Sequence, residues 1–130
     1  MTSQIDVGGA VARDVTNIGK VRHTRAIGQV DTAATTATTL YTVPVKRLCR
    51  GRVYVAERAG AAATYRIAIR EDGDALANEH YVAYDAPLPA NDYDYSVELL
   101  LDETDVITVY ASTGDLSFSF LGELEPKDTT

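Results

Sequence analysis

The sequence predicts an all-β fold, an eight-stranded antiparallel jelly-roll sandwich with an extended N-terminal arm. Three observations lead there. About eight short segments alternate apolar and polar residues, turn chemistry separates them at 8–14-residue spacing, and no stretch of helical period is long enough for a helix. An immunoglobulin-like sandwich is the alternative with the same signals. At 130 residues the chain is the size of one domain, and the absence of a fixed repeat argues against propellers and solenoids.

Taken in order, residues 1–23 have neither a two-residue nor a 3.6-residue period. Gly8, Gly9 and Gly19 weaken any helix there, so this segment reads as an arm ordered by a partner. The sandwich is expected over residues 24–122. Its strands begin with Thr24–Val30 and, after the Ala/Thr-rich stretch Thr32–Thr39, Thr39–Val43. In Leu48–Glu57, Val53 and Val55 oppose Arg50, Arg52 and Tyr54. In Thr64–Arg70, Tyr65, Ile67 and Ile69 point inward and Arg66 and Arg70 outward.

His80–Tyr84 follows the Asp72-Gly73 turn, and Pro87 and Pro89 are expected to stop it. Tyr95–Leu101 reads as one strand with Tyr95, Val97, Leu99 and Leu101 on the buried face. Asp105–Tyr110 carries Ile107 and Val109. After the reversal at Ser112–Asp115, Leu116–Leu121 sets Leu116, Phe118 and Phe120 against Ser117 and Ser119. Residues 123–130 read as a flexible tail.

The inventory argues against catalysis. His23 falls in the arm and His80 at a strand edge, so a Ser–His–acid or Cys–His arrangement has no base to build on. Cys49 is the only cysteine and lies in an apolar stretch, which predicts a buried, inert thiol and neither a disulfide nor a zinc site. The acids concentrate in turns (Asp72 and Asp74, Asp92 and Asp94, Asp102, Glu103 and Asp105), where capping is the expected role and calcium binding the functional alternative. No cofactor or metal is expected. The longest apolar runs, such as Val53–Ala56, are too short for a membrane span, and the amino terminus lacks a signal-peptide core. The chain therefore reads as made in a cytoplasm, without a membrane partner.

Charge is distributed unevenly. Residues 1–70 hold eleven of the twelve cations against four acids, a net +7; residues 71–130 hold Lys127 against fifteen acids, a net −14. Either the halves interleave and pair within the chain, or unlike surfaces of neighbouring subunits meet. The cluster Lys46, Arg47, Arg50 and Arg52 belongs to a chain of net charge −7, which favours protein contact over nucleic acid. With Arg13, Lys20, Arg22 and Arg25 of the arm, these cations are the candidate subunit or capsid interface. Eight tyrosines against two phenylalanines and no tryptophan suit interfaces or a carbohydrate platform, with Tyr81, Tyr84, Tyr93 and Tyr95 around a Pro-rich loop.

From Thr38 to Gly122 the layout resembles a known group. "TTLYTVP" leads to a basic strand and is followed by "GRVYVAERAG-AAATYRIAI", "EHYVAYDAPLPANDY", "LLLDETDVITVYAS" and "LSFSFLGELE". These segments resemble small virion proteins of tailed bacteriophages, jelly-roll modules used as capsid decoration, head-fibre or tail-associated domains. The resemblance implies a non-enzymatic structural protein located in the virion, commonly a homotrimer, whose partner is the major capsid protein or another virion protein. Two departures bear on the attachment surface: Glu57-Arg58 stands where such modules often carry Asn, and the basic run 46–52 is heavier. Decoration of the head is the first expectation. A tail-tip or fibre module recognising host glycans is the alternative, and a cupin-like small-molecule binder is a third, disfavoured by the lack of clustered histidines.

Overall fold

The computed structural model describes residues 25–127. The strands are β1 (Arg25–Asp31), β2 (Thr38–Thr42), β3 (Arg47–Glu57), β4 (Ala63–Arg70), β5 (Tyr81–Leu88), β6 (Tyr93–Tyr95), β7 (Leu99–Leu101), β8 (Val106–Ala111) and β9 (Leu116–Pro126). Two single 3-10 turns, Glu71–Gly73 and Asn78–His80, lie between β4 and β5. No helix among the described residues is long and apolar enough to cross a membrane.

Every pairing is antiparallel. One sheet runs β1-β9-β3, with β6 and β7 both pairing the far side of β3; the other runs β2-β8-β4-β5. Counting β6 and β7 as one broken strand, the first strand lies beside the last and the second beside the next to last. The sandwich is a jelly roll, as the strand count predicts. The arm (residues 1–23) lies outside the described residues.

Alternation explains the core. β3 turns Cys49, Val53, Val55 and Glu57 inward, and β9 turns in Leu116, Phe118 and Phe120. From the opposite sheet Tyr65, Ile67, Ile107, Val109 and Ala111 meet them. Phe118 packs edge-on to Tyr65 and Phe120 against Tyr41, with ring centroids 6.5 and 5.7 Å apart. The Tyr65 hydroxyl donates to Asp94 Oδ2 at 2.8 Å and so ties the two sheets together. Burial, then that carboxylate, pushes the phenol up to about 12.

Three boundaries differ from the sequence reading, each for a local reason. β5 continues through Pro87 to Leu88, because it is an edge strand and a missing N–H on its open side leaves no ladder bond unmade. β9 does not end near Gly122. It pairs with β3 as far as Pro126↔Arg47, and the Lys127 N–H donates to the Lys46 carbonyl at 2.9 Å, so residues 123–127 belong to the sandwich.

The third correction concerns Tyr95–Leu101, which is two strands. At Ser96 the hydroxyl accepts from the Val53 N–H at 3.0 Å, and the Ser96 N–H donates to the Val53 carbonyl at 2.9 Å. A side chain thus takes the place of backbone in the ladder, and the facing shifts. Leu99 and Leu101 point inward, whereas Tyr95 and Val97 do not.

Cys49 is buried, and burial, with Glu123 adding to it, pushes its thiol up to about 11. Native protein at pH 8 is therefore expected to react with a thiol reagent roughly 100-fold more slowly than unfolded chain. Equal rates would place the thiol at the surface.

Candidate interaction surface

The outward side chains of the five-stranded sheet form cross-strand rows. Ser119, Tyr54 and Tyr95 make one row, with Tyr54 and Tyr95 stacked at 5.3 Å. Ser117, Ala56 and Tyr93 make the next row above it. Lower down, Glu123, Arg50 and Leu100 align. Arg50 and Arg52 thus share one face of β3, as the two-residue period requires.

Arg50 is engaged within its own chain. Its Nε donates to Glu123 Oε2 at 2.9 Å, and its Nη2 lies 3.3 Å from Glu125 Oε2. Arg52 donates to the Ser96 carbonyl at 3.0 Å and sits over the Tyr95 ring. Lys46 and Arg47 are exposed, and their side chains reach no acid among the described residues. Arg25 begins β1 opposite Gly122. Arg13, Lys20 and Arg22 lie outside the described residues. The structure thus places Arg47, Arg50 and Arg52 on one strand with Lys46 in the turn before it, only Arg50 and Arg52 sharing a face, and interleaves part of the charge asymmetry inside the chain.

The flank formed by β6 and β7 is apolar where the sequence alternation expected core. Tyr93 is 65% exposed, Tyr95 51%, Val97 69% and Leu100 75%. The acids of this stretch serve turns, as expected. Asp92 and Asp94 accept the N–H of Tyr93 and Tyr95, and Asp102 that of Glu103. Lys127 Nζ bridges Asp102 at 2.8 Å and Glu103 at 3.2 Å. That cation holds Asp102 below the usual carboxylate range; Glu103 is held low first by the Lys46 N–H and then by Lys127. No group of acids, histidines and cysteine among the described residues is placed to hold a metal ion. His80 Nδ1 accepts the Ala77 N–H at 2.9 Å and closes a turn.

The other sheet carries a second aromatic cluster, in which Tyr81 and Tyr84, expected to share one loop with Tyr93 and Tyr95, meet Arg66 and Tyr110. The Arg66 guanidinium lies between the Tyr84 and Tyr110 rings, 4.1 and 4.2 Å from their centroids, and its Nε donates to Asp85 Oδ1 at 2.7 Å. A bulge makes this possible. The register passes from Tyr65↔Ala86 to Ile67↔Ala83, so Arg66 faces both Tyr84 and Asp85, and Asp85 takes φ +50°. Tyr81 packs edge-on to Tyr84 at 4.9 Å.

No family model matches the chain, and no curated protein matches it. Among solved structures, a pentameric capsid protein isolated from metagenomic phage sequences is similar at 17% identity. The match covers 94% of this chain and 86% of that one, with a TM-score of 0.35, a loose superposition.

Proposed function

We propose that this chain is a structural, non-catalytic protein of a tailed-bacteriophage virion, a homotrimer that decorates the assembled head by binding the major capsid protein. The observation that supports this reading is where the virion-like segments fall. "TTLYTVP" is β2 and its turn, "GRVYVAERAG" most of β3 and its loop, and "AAATYRIAI" is β4. "EHYVAYDAPLPANDY" spans β5 into β6, "LLLDETDVITVYAS" β7 through β8, and "LSFSFLGELE" is β9. Six resembling stretches thus coincide with the strands and turns of one jelly roll, in order.

A physical division of labour supports the same reading. Among the described residues the buried core cluster runs from Leu40 to Phe120, with Ile27 and Val30 of β1 packed against it, so the sandwich has a core of its own. The segment before β1 carries Arg13, Lys20 and Arg22, cations that suit an acidic shell surface. Removing residues 1–22 is expected to leave a cooperative melt while weakening attachment to particles about tenfold, some 1.4 kcal/mol. Electron microscopy of particles bearing the labelled protein tests the location. Density on the head shell is expected. Density at the tail tip overturns decoration and favours glycan recognition, for which the Tyr81, Tyr84 and Tyr110 cluster around Arg66 is the platform.

A further inference from the structure

We propose that the open edge of β9 beyond Gly122 is a docking site for this chain's own residues 21–24, which lie outside the described residues. β1 pairs with β9 only as far as Arg25↔Gly122, whereas β9 runs on beside β3 to Pro126↔Arg47. Among the described residues, no strand lies along the other side of residues 123–126. Backbone geometry defines what that edge offers. The Lys127 N–H donates to the Lys46 carbonyl, so Glu125 and Glu123, at alternate positions, also turn their backbone groups toward β3. Leu124 turns its N–H and C=O the other way, and Pro126, which has no N–H, only its C=O.

The side chains set the pattern that a strand on this edge must meet. Leu124 shares the core side of the sheet with Cys49 but is 39% exposed. Glu123 and Glu125 stand on the outer side, where both reach Arg50. A matching strand therefore places a cation on its outer side and packs the side chains between against Leu124 and Pro126.

The segment before β1 fits without a change of register. Continuing backwards from Arg25↔Gly122 sets Thr24 opposite Glu123, His23 opposite Leu124, Arg22 opposite Glu125 and Val21 opposite Pro126. Arg22 then meets Glu125 across the outer face, and His23 and Val21 take the core side beside Leu124 and Pro126. The segment is covalently joined to a strand already in place, so its effective concentration at this edge is on the order of millimolar or above, which favours it over a free strand. Docked so, residues 1–20 leave the sandwich beside Pro126, at the end that carries Lys46 and Arg47. If the chain is a virion protein, the shell contact falls at that end; the docking itself does not rest on that reading.

Amide exchange and engineered disulfides in the full chain test the docking. The Leu124 N–H is expected to exchange at least about tenfold faster in His23→Pro, which removes the N–H that faces Leu124. It should keep the parent rate in Thr24→Pro, whose lost N–H points away from β9. Arg22→Cys with Glu125→Cys, directly opposite in this register, should form an intrachain disulfide at least about tenfold faster than Arg22→Cys with Glu123→Cys, two positions off. A cooperative melt of each variant shows that the sandwich itself is intact. Leu124 exchange indifferent to His23→Pro, or equally fast in both proline variants, overturns the proposal, as do disulfides formed at equal rates. A disulfide between chains, seen as a dimer on a non-reducing gel, also overturns it, because a second copy's segment then fills the edge. None of these outcomes depends on particle binding.

Discussion

Gly51→Val is expected to abolish the cooperative melt of this protein, or to prevent its recovery in soluble form. Gly51 of β3 and Gly122 of β9 face each other in the register, where the two backbones come unusually close. A Cβ built on Gly51 would lie 2.3 Å from the Leu121 carbonyl oxygen and 2.7 Å from Gly122 Cα; one built on Gly122 would lie 2.3 Å from the Arg50 carbonyl oxygen. The obstacle is backbone in each case, so no rotamer change relieves it and the two longest strands must part. That places the cost at about 4 kcal/mol or more, a large share of the ~5–15 kcal/mol that holds a domain of this size. Gly114→Ala supplies the control, since a Cβ there meets nothing within 4 Å, and it should change stability by less than about 0.5 kcal/mol. A Gly51→Val protein that melts like its parent would show that the strands do not approach in this way.

Glu57→Ala is expected to lower the melting temperature at pH 7 by more than about 5 °C and to loosen two loops at once. The Glu57 carboxylate is buried at the end of β3 and accepts four backbone N–H groups. Oε1 takes those of Asn91 at 2.7 Å, Gly60 at 2.9 Å and Ala61 at 3.2 Å, and Oε2 takes that of Ala59 at 2.8 Å. It therefore fastens the β3–β4 loop to the β5–β6 turn. The Asn91 N–H, helped by those of Ala59, Gly60 and Ala61 against the opposing effect of burial, holds the carboxyl below its ordinary value of 4.5.

A carboxylate with a depressed folded-state pKa contributes stability above its unfolded value, and the contribution disappears as pH falls through the folded value. The parent protein should thus hold its melting temperature above pH 4.5 and lose it below, with Asp102 and Glu103 acting in the same sense. Glu57→Gln should flatten part of that acid slope. Hydrogen exchange at Gly60 and Asn91 should accelerate together in Glu57→Ala. Exchange that rises at one amide alone would mean that the carboxylate does not join the loops.

The elements most legible in the sequence are those whose two faces differ most. Leu116–Leu121 and Leu48–Glu57 alternate cleanly because one face meets the opposite sheet and the other meets water, and both fall within the observed strands. The exposed flank of β6 and β7 was illegible for a physical reason. Alternation carries a side chain's facing forward only while the ladder is unbroken, and the Ser96 hydroxyl interrupts it without any change in apolar pattern. Val97 therefore reads as core and lies outside. Pro87 misled in the opposite direction, because its meaning depends on whether the strand is an edge, which the local sequence does not say. Arg50 and Arg52 were legible as one face of one strand, but the partners of Arg50 were not, since Glu123 and Glu125 come from a strand more than seventy positions away.

The placement of β9 has a consequence for how the chain comes to be folded. It lies between β1 and β3 and supplies Leu116, Phe118 and Phe120 to the centre of the core, yet of the nine described strands it is the last to be synthesised. Until residues 116–126 emerge, β1 has no neighbour in its sheet and β3 has only the short strands β6 and β7. Closing β9 onto β1 joins residues nearly the whole described length apart, which makes the topology one of high contact order and slow collapse. A nascent chain would carry most of its apolar strands in waiting, and the sandwich closes in one late step, once residues 116–126 are free.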